Sequence, residues 1–183
     1  MLIDACEILK EKQLRFECHF VGSWVDISGE QFNSDIERKG LTGYVFGHGG
    51  KYKEAKSEFF EQSDIFVFPT YYHNETFGLV NLEAMQYALP VIATNEGGIG
   101  DIVIDKVTGF IIDQQDPDAL AAKIEMLIKD PSLACRMGSE GRKRYESLYT
   151  ISHFENRLND ILQDAISKYS RSVSLNLSEP SVP

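Results

Sequence analysis

The chain has 183 residues, enough for one domain with a real core. Hydrophobic residues make up 43% and charged residues 25%, an ordinary balance for a globular protein, and the formal charge of −10 disfavours nucleic acid as a partner because phosphate backbones are gripped by basic surfaces. No apolar run approaches a membrane span and the first residues are not laid out as a signal peptide, so the expected location is the cytoplasm. The cysteines, Cys6, Cys18 and Cys135, are odd in number, widely spaced and without a C-x-x-C pattern, which points to buried free thiols rather than a disulfide or a zinc site.

Leu2, Ala5, Cys6 and Leu9 fall at helical spacing, so residues 2–12 are predicted helical. From 14 to 21 the chain alternates, with Leu14, Phe16, Cys18 and Phe20 on one face and Arg15, Glu17 and His19 on the other, the pattern of a strand ended by Gly22. A polar helix is predicted over 30–39, stopped by Gly40, then a short strand over 43–47. His48-Gly-Gly-Lys-Tyr-Lys53 is a flexible basic loop, and a helix over 54–62 carries Phe59 and Phe60, expected in the core.

The next stretch, 64–89, organises the chain. Asp64 to Phe68 is a short apolar run ending at Pro69, the pattern of a buried strand that meets a breaker. A polar loop follows, Tyr71-Tyr72-His73-Asn74-Glu75, and then a segment from Leu79 to Leu89 in which only Asn81, Glu83 and Gln86 are polar. A helix apolar nearly all round is a buried one, and a carboxylate on it requires a partner. Strand, polar loop and helix is the layout in which an open α/β sheet holds a ligand. The opening amides of the helix, at Phe77, Gly78 and Leu79, lack intrahelical partners and carry the positive end of the helix dipole, and Gly78 allows close approach, so an anionic phosphate fits there. Glu83 lies about one turn in and points back toward that spot, while Glu75 flanks it from the loop. Phosphate in the middle with hydroxyl-bearing groups beside it describes a nucleotide sugar. Tyr71 and Tyr72 are expected to divide into one packed and one exposed ring. His73 is a further candidate for the site, its alternative being a partly exposed polar residue. The other histidines, His19, His48 and His153, are scattered, which argues against a metal centre.

A buried strand over 90–93 follows, then a glycine-rich loop over 94–101, expected to be flexible and left open between packing and a sugar-side contact. A last strand is predicted over 109–113. Asp116-Pro117 opens a helix with a cap and a first-position proline, and Leu120, Ile124, Leu127 and Ile128 give it one apolar face. A short helix is expected after Pro131, and a long amphipathic one from Ile151 to about Lys168. Residues 169–183, serine-rich with two prolines, are expected to form a disordered tail, leaving 1–168 as the domain.

The segment Glu75-Thr-Phe-Gly-Leu-Val-Asn-Leu-Glu83, with seven residues between two glutamates, resembles the paired-glutamate motif of retaining GT-B-fold glycosyltransferases of family 4, also called group 1. The surrounding words agree in order: Asp64-Ile-Phe-Val-Phe-Pro, Glu83-Ala-Met, Leu89-Pro-Val-Ile-Ala-Thr, Gly97-Gly98-Ile99 and Thr108-Gly109-Phe110. The resemblance runs from the first helix to about Leu162. It implies an α/β fold, a Rossmann-like parallel sheet with helices on both faces, forming the donor-binding half of a GT-B enzyme. It implies a nucleotide-diphosphate sugar as donor, with Glu75 at the sugar, the diphosphate on the segment Thr76, Phe77, Gly78 and Leu79, and the ribose hydroxyls on Glu83. Lys51 and Lys56 are further candidates as positive charge near the donor base, each weighed against a plain solvated lysine. No cofactor and no metal are expected. The loop after Gly22 departs from the family, with Ser23-Trp24 where a second glycine is common, so no function is carried onto it, and Gly100 and Asp101 replace the usual proline and glutamate after Ile99.

The resemblance covers only the second of the family's two domains and begins after that domain's first strand and its arginine- and lysine-bearing loop. In a doubly wound sheet the first strand is central, so its loss is expected to split the sheet and expose unpaired edges. The resulting expectation is a fragment or half of a split protein that transfers sugar with retention only when an N-terminal acceptor domain is supplied, to a sugar, lipid or polysaccharide acceptor, and is inactive alone. Peripheral membrane association of the complete enzyme is compatible with this. The alternative is a catalytically silent nucleotide-sugar-binding or pairing module. A sugar-nucleotide epimerase on the same fold is a third reading, disfavoured by the glutamate spacing.

Overall fold

The computed structural model describes residues 1–176. They divide into two compact units, one spanning Met1–Arg144 and one beginning at Tyr145. The first is an α/β unit in the order α1 (Leu2–Glu11), β1 (Cys18–Phe20), α2 (Gly29–Arg38), β2 (Val45–Gly47), α3 (Glu54–Glu61), β3 (Phe66–Phe68), α4 (Leu79–Gln86), β4 (Val91–Thr94), α5 (Ile99–Ile102), β5 (Gly109–Ile112), α6 (Pro117–Lys129) and α7 (Pro131–Leu148), within which the boundary falls. The second unit carries α8 (Ile151–Asn176).

All strand pairs are parallel, as helical crossovers require. They lie in two sheets, β1-β2 and β3-β4-β5, with no ladder joining them among the described residues, so the expected division of the sheet is present. β3, apolar throughout as Phe66-Val67-Phe68, is only half-buried, whereas all of β4 is buried. Ile92 of β4 enters a cluster with Ala5 and Leu9 of α1, Phe110 and Ile112 of β5, Leu120, Ile124 and Leu127 of α6 and Met137 of α7. Side chains alternate along a strand, so Val91 and Ala93, fully buried too, face the other way, where α4 packs on β3 and β4. A second cluster joins Cys6 of α1, Phe32 and Ile36 of α2, Leu41 and Val45.

Several local expectations are corrected. The strand expected over 14–21 pairs only at Cys18–Phe20, because β2 offers three partners, Val45, Phe46 and Gly47. The helix after Pro131 is long: Gly138 and Gly141 are buried and let it lie against the 88–90 turn, where a Cβ on Gly138 would sit 1.8 Å from the Ala88 carbonyl oxygen. The glycine-rich loop folds its end into α5, with Ile99 and Ile102 fully buried. The last helix continues past Lys168 to Asn176, into the expected tail; the rest of that tail, 177–183, lies outside the described residues. Cys6 is buried and Cys18 partly so, but Cys135 is exposed. The neighbouring Cys18 thiol and then burial push the Cys6 thiol far above its ordinary range, so it is an inert packing residue.

Candidate functional site

The loop after β3 and the start of α4 are tied into one structure. The Thr94 hydroxyl at the end of β4 donates to the Thr70 carbonyl, fixing the two strand ends to each other. The Thr70 hydroxyl accepts the Tyr72 amide at 3.2 Å, and the Glu75 amide donates to the Tyr72 carbonyl at 2.8 Å. The 70–75 loop is therefore a hydrogen-bonded turn and not a slack connection.

Gly78 is the hinge of the site. It caps α4 in the left-handed region, φ +70°, and is buried. A Cβ there would lie 2.7 Å from Asn81 Nδ2 and 2.9 Å from Ile99 Cγ1, so glycine is demanded by both backbone and space. Asn81, fully buried, donates from Nδ2 to the Gly78 carbonyl at 2.9 Å, while its Oδ1 has no partner among the described residues. The amides at the helix start are not idle. Glu75 Oε1 accepts the Gly78 amide at 2.8 Å and the Phe77 amide at 3.3 Å. The sequence suggested an anion over these amides, and an anion is there: the chain's own carboxylate.

The glycine-rich loop supports this turn from the side. The Gly98 amide donates to the Thr76 carbonyl at 2.9 Å. Gly97 sits at φ +50°, and a Cβ on it would be 2.1 Å from the Glu75 carbonyl oxygen and 2.8 Å from that of Thr76. A Cβ on Gly98 would meet the Phe77 ring at 2.7 Å. This loop packs against the 75–77 turn.

Glu83 finds its required partner in Lys56 of α3, whose Nζ donates to Oε1 at 2.6 Å and to Oε2 at 2.7 Å, with both side chains partly exposed. Lys56, a candidate for positive charge near a donor base, is therefore ion-paired and not a plain solvated lysine. Lys51 stands apart, half-buried beside His48. Thr76 and Leu79 are exposed, Leu79 at 66%, so the outer side of the helix start is open. His73 is exposed in the loop. Tyr71 and Tyr72 are both exposed, at 57% and 63%, which corrects the expectation that one would pack.

A further pair went unforeseen. His19 Nδ1 and His48 Nε2 are 2.9 Å apart, with the two rings stacked on each other, His19 stacked on Phe46 and both tilted against Phe59. Burial first, then the charges of His19 and Lys51, hold the His48 imidazole below its ordinary basicity. The strand register, His19 opposite Phe46, puts position 48 within reach, a signal legible only once the pairing is known. Among the described residues no three histidine, cysteine, aspartate or glutamate side chains gather as metal ligands, and no helix is long and apolar enough to cross a membrane. Chemically, the region offers amides that take an anion, a carboxylate that already caps them, and a second carboxylate held by a lysine.

Residues 1–144 match the family model described as glycosyl transferases, group 1. Among curated relatives, the capsular polysaccharide biosynthesis glycosyltransferase CapM of Staphylococcus aureus is 46% identical over 92 residues, which cover 50% of this chain and 24% of CapM. Among solved structures, sucrose-phosphate synthase from Thermosynechococcus elongatus is similar with a TM-score of 0.78 and 26% identity, over 91% of this chain and 43% of that one. An S. aureus TarM variant in complex with fondaparinux, α-GlcNAc-glycerol and UDP has a TM-score of 0.74 and 26% identity, over 86% of this chain and 31% of that one. The chain thus spans about a quarter of the curated relative and less than half of each solved structure.

Proposed function

From the premise that the chain belongs to the group 1 glycosyl transferases, we propose that it is the donor half of such an enzyme and binds a nucleoside-diphosphate sugar at the start of α4. The observation that carries this reading is the Glu75 carboxylate on the Phe77 and Gly78 amides: a cap that stabilises one anionic oxygen is built to stabilise another. The diphosphate displaces Glu75 from the amides of Phe77 and Gly78 and takes that of Leu79 as well, and the freed carboxylate meets the donor sugar. Glu83 takes the ribose hydroxyls. Thr76 lines the mouth, and His73 reaches the sugar from the loop.

The chemistry asked of these residues is modest. Departure of a diphosphate from a sugar develops negative charge on the leaving oxygens, and preorganised amides aimed at that charge lower the barrier without moving. Glu75, close to the developing positive centre of the sugar, stabilises it electrostatically. Transfer proceeds with retained configuration, with no metal and no further cofactor, to a sugar-bearing acceptor presented by another domain; the hexosyl class of the donor belongs to the same reading. The TarM complex with UDP supports a uridine or related nucleotide as the first ligand to try.

The experiment is an amide NMR titration of the chain with UDP, GDP and ADP. Saturable shifts centred on Phe77, Gly78 and Leu79, lost in Glu83→Gln, support the reading. Shifts elsewhere, or none with any of the three, remove it. With an acceptor half supplied, the anomeric configuration of the product, read by NMR, tests retention. Binding without transfer under those conditions favours the silent binding module instead.

A further inference from the structure

The Gly78 carbonyl takes two hydrogen bonds from one residue: the Asn81 backbone amide and the Asn81 Nδ2 each donate to it at 2.9 Å. In a trans peptide unit the carbonyl and the following amide point in opposite directions. A Gly78 carbonyl drawn into the helix therefore turns the Leu79 amide outward, past the helix start, where the Leu79 side chain is exposed. Glu75 occupies the Phe77 and Gly78 amides, and the Leu79 amide has no acceptor among the described residues. Glycine does not hold that peptide unit by itself, because it has no side chain to restrict its rotation. Asn81 holds it from within the helix: its Nδ2 lies against Gly78, 2.7 Å from where a Cβ would stand.

Asparagine is otherwise unfavourable at this place. The other buried residues of α4, Leu82, Ala84 and Met85, are apolar, and Asn81 Oδ1 has no partner among the described residues. A buried oxygen without a donor destabilises the fold, and a leucine of similar size would avoid it. What asparagine adds over leucine is Nδ2 and its hold on Gly78. We propose that Asn81 is a positioning residue that fixes the 78–79 peptide unit so that the Leu79 amide is aimed at the diphosphate. This rests on the reading of the helix start as the diphosphate site. Asn81 touches no ligand itself; it acts through the Gly78 carbonyl.

The test is amide NMR titration of the 183-residue chain with the best-bound of UDP, GDP and ADP, in the parent and in Asn81→Leu, Asn81→Ala and Asn81→Ser, with the thermal midpoint of each. In both apolar variants the ligand-induced shift of the Leu79 amide is expected to disappear while those of Phe77 and Gly78 persist. The dissociation constant is expected to rise about tenfold, the scale of one hydrogen bond to a charged acceptor. Asn81→Leu is expected to keep or raise the midpoint, since it removes the unpaired oxygen. Asn81→Ser, whose hydroxyl can donate to a carbonyl one turn back, is expected to restore the Leu79 shift and bind within about twofold of the parent. A Leu79 shift kept in the apolar variants, or not restored by Asn81→Ser, overturns the role of Asn81 and leaves the diphosphate reading standing. Loss of all three shifts together, or failure of both apolar variants to fold, makes Asn81 an ordinary fold residue and overturns it too. If no nucleotide shifts these amides in the parent, the diphosphate reading falls and the proposal with it.

Discussion

The carboxylate of Glu75 and the backbone amide of Gly78 are 2.8 Å apart, so the helix start that opens α4 is capped by a side chain from three residues upstream. An ordinary cap residue does this from the position adjoining the helix, but that position is Gly78, which has no side chain to offer. Glu75 supplies the missing oxygen at the cost of occupying the surface a phosphate would use.

In the proposed reading this arrangement makes Glu75 a competitor of the diphosphate and a contact for the sugar. In Glu75→Ala a nucleoside diphosphate is expected to bind about fivefold tighter, since a cap interaction worth about 1 kcal/mol no longer has to be displaced. The same variant is expected to bind the nucleotide sugar no better than the free diphosphate, because the sugar contact has gone. Calorimetric titration with both ligands checks the gain for the diphosphate and the lost advantage of the sugar; a parallel loss for both contradicts the displacement.

The 97–98 loop holds the turn by close backbone approach, and Gly97 is where that approach is tightest. Gly97→Ala would set a methyl group 2.1 Å from the Glu75 carbonyl oxygen at a φ of +50°. The expected cost is about 1–3 kcal/mol, seen as a lower thermal midpoint, with weaker nucleotide binding because the turn that presents the amides shifts. Gly22→Ala, with nothing within 4 Å of the new carbon, is expected to stay within about 0.5 kcal/mol of the parent. Equal midpoints for the two variants contradict the bracing role.

His48 is held below the ordinary imidazole value of 6.5 by burial, by His19 and by Lys51. The unfolded chain therefore binds the proton more readily than the folded one as the pH drops below 6.5. This site costs the fold nothing above that value and destabilises it as the pH falls; it does not act as the pH rises. Imidazole NMR titration is expected to show His48 ionising below 6.5, and His19→Asn is expected to move it upward without reaching 6.5, because burial is the leading cause and remains. A His48 that titrates at or above 6.5 in the parent protein contradicts the stacked pair.

What could be read from the sequence was what depends on neighbours in the chain. Asp116-Pro117 announced a helix start, and the Asp116 carboxylate does accept the Ala119 amide at 2.8 Å, as a cap should. The apolar spacing of Leu120, Ile124 and Leu127 named the buried face of α6 correctly. The central strand, loop and helix were legible because Pro69 and Gly78 punctuate them. The split sheet was expected from the resemblance, which begins after the family domain's first strand, a central one in a doubly wound sheet. Pairings between distant residues were not. Nothing local ties Lys56 to Glu83 or His19 to His48, and each pair exists only once two crossovers have closed. The length of α7 was not legible either: Gly138 and Gly141 each cost a helix about 1 kcal/mol against alanine, yet there the small residues allow the helix to press on the chain at Ala88. Asn81 was a visible anomaly on an apolar helix; its tie to the Gly78 carbonyl needed the left-handed turn to be seen first.

The most direct measurement is a crystal structure of the chain with a nucleoside-diphosphate sugar bound. The account predicts a phosphate oxygen at about 2.7–3.2 Å from the Gly78 and Phe77 amides, the Glu75 carboxylate swung off them toward the sugar, and Glu83 on the ribose with Lys56 still in place. A ligand seated elsewhere, with Glu75 still capping Gly78, would contradict it.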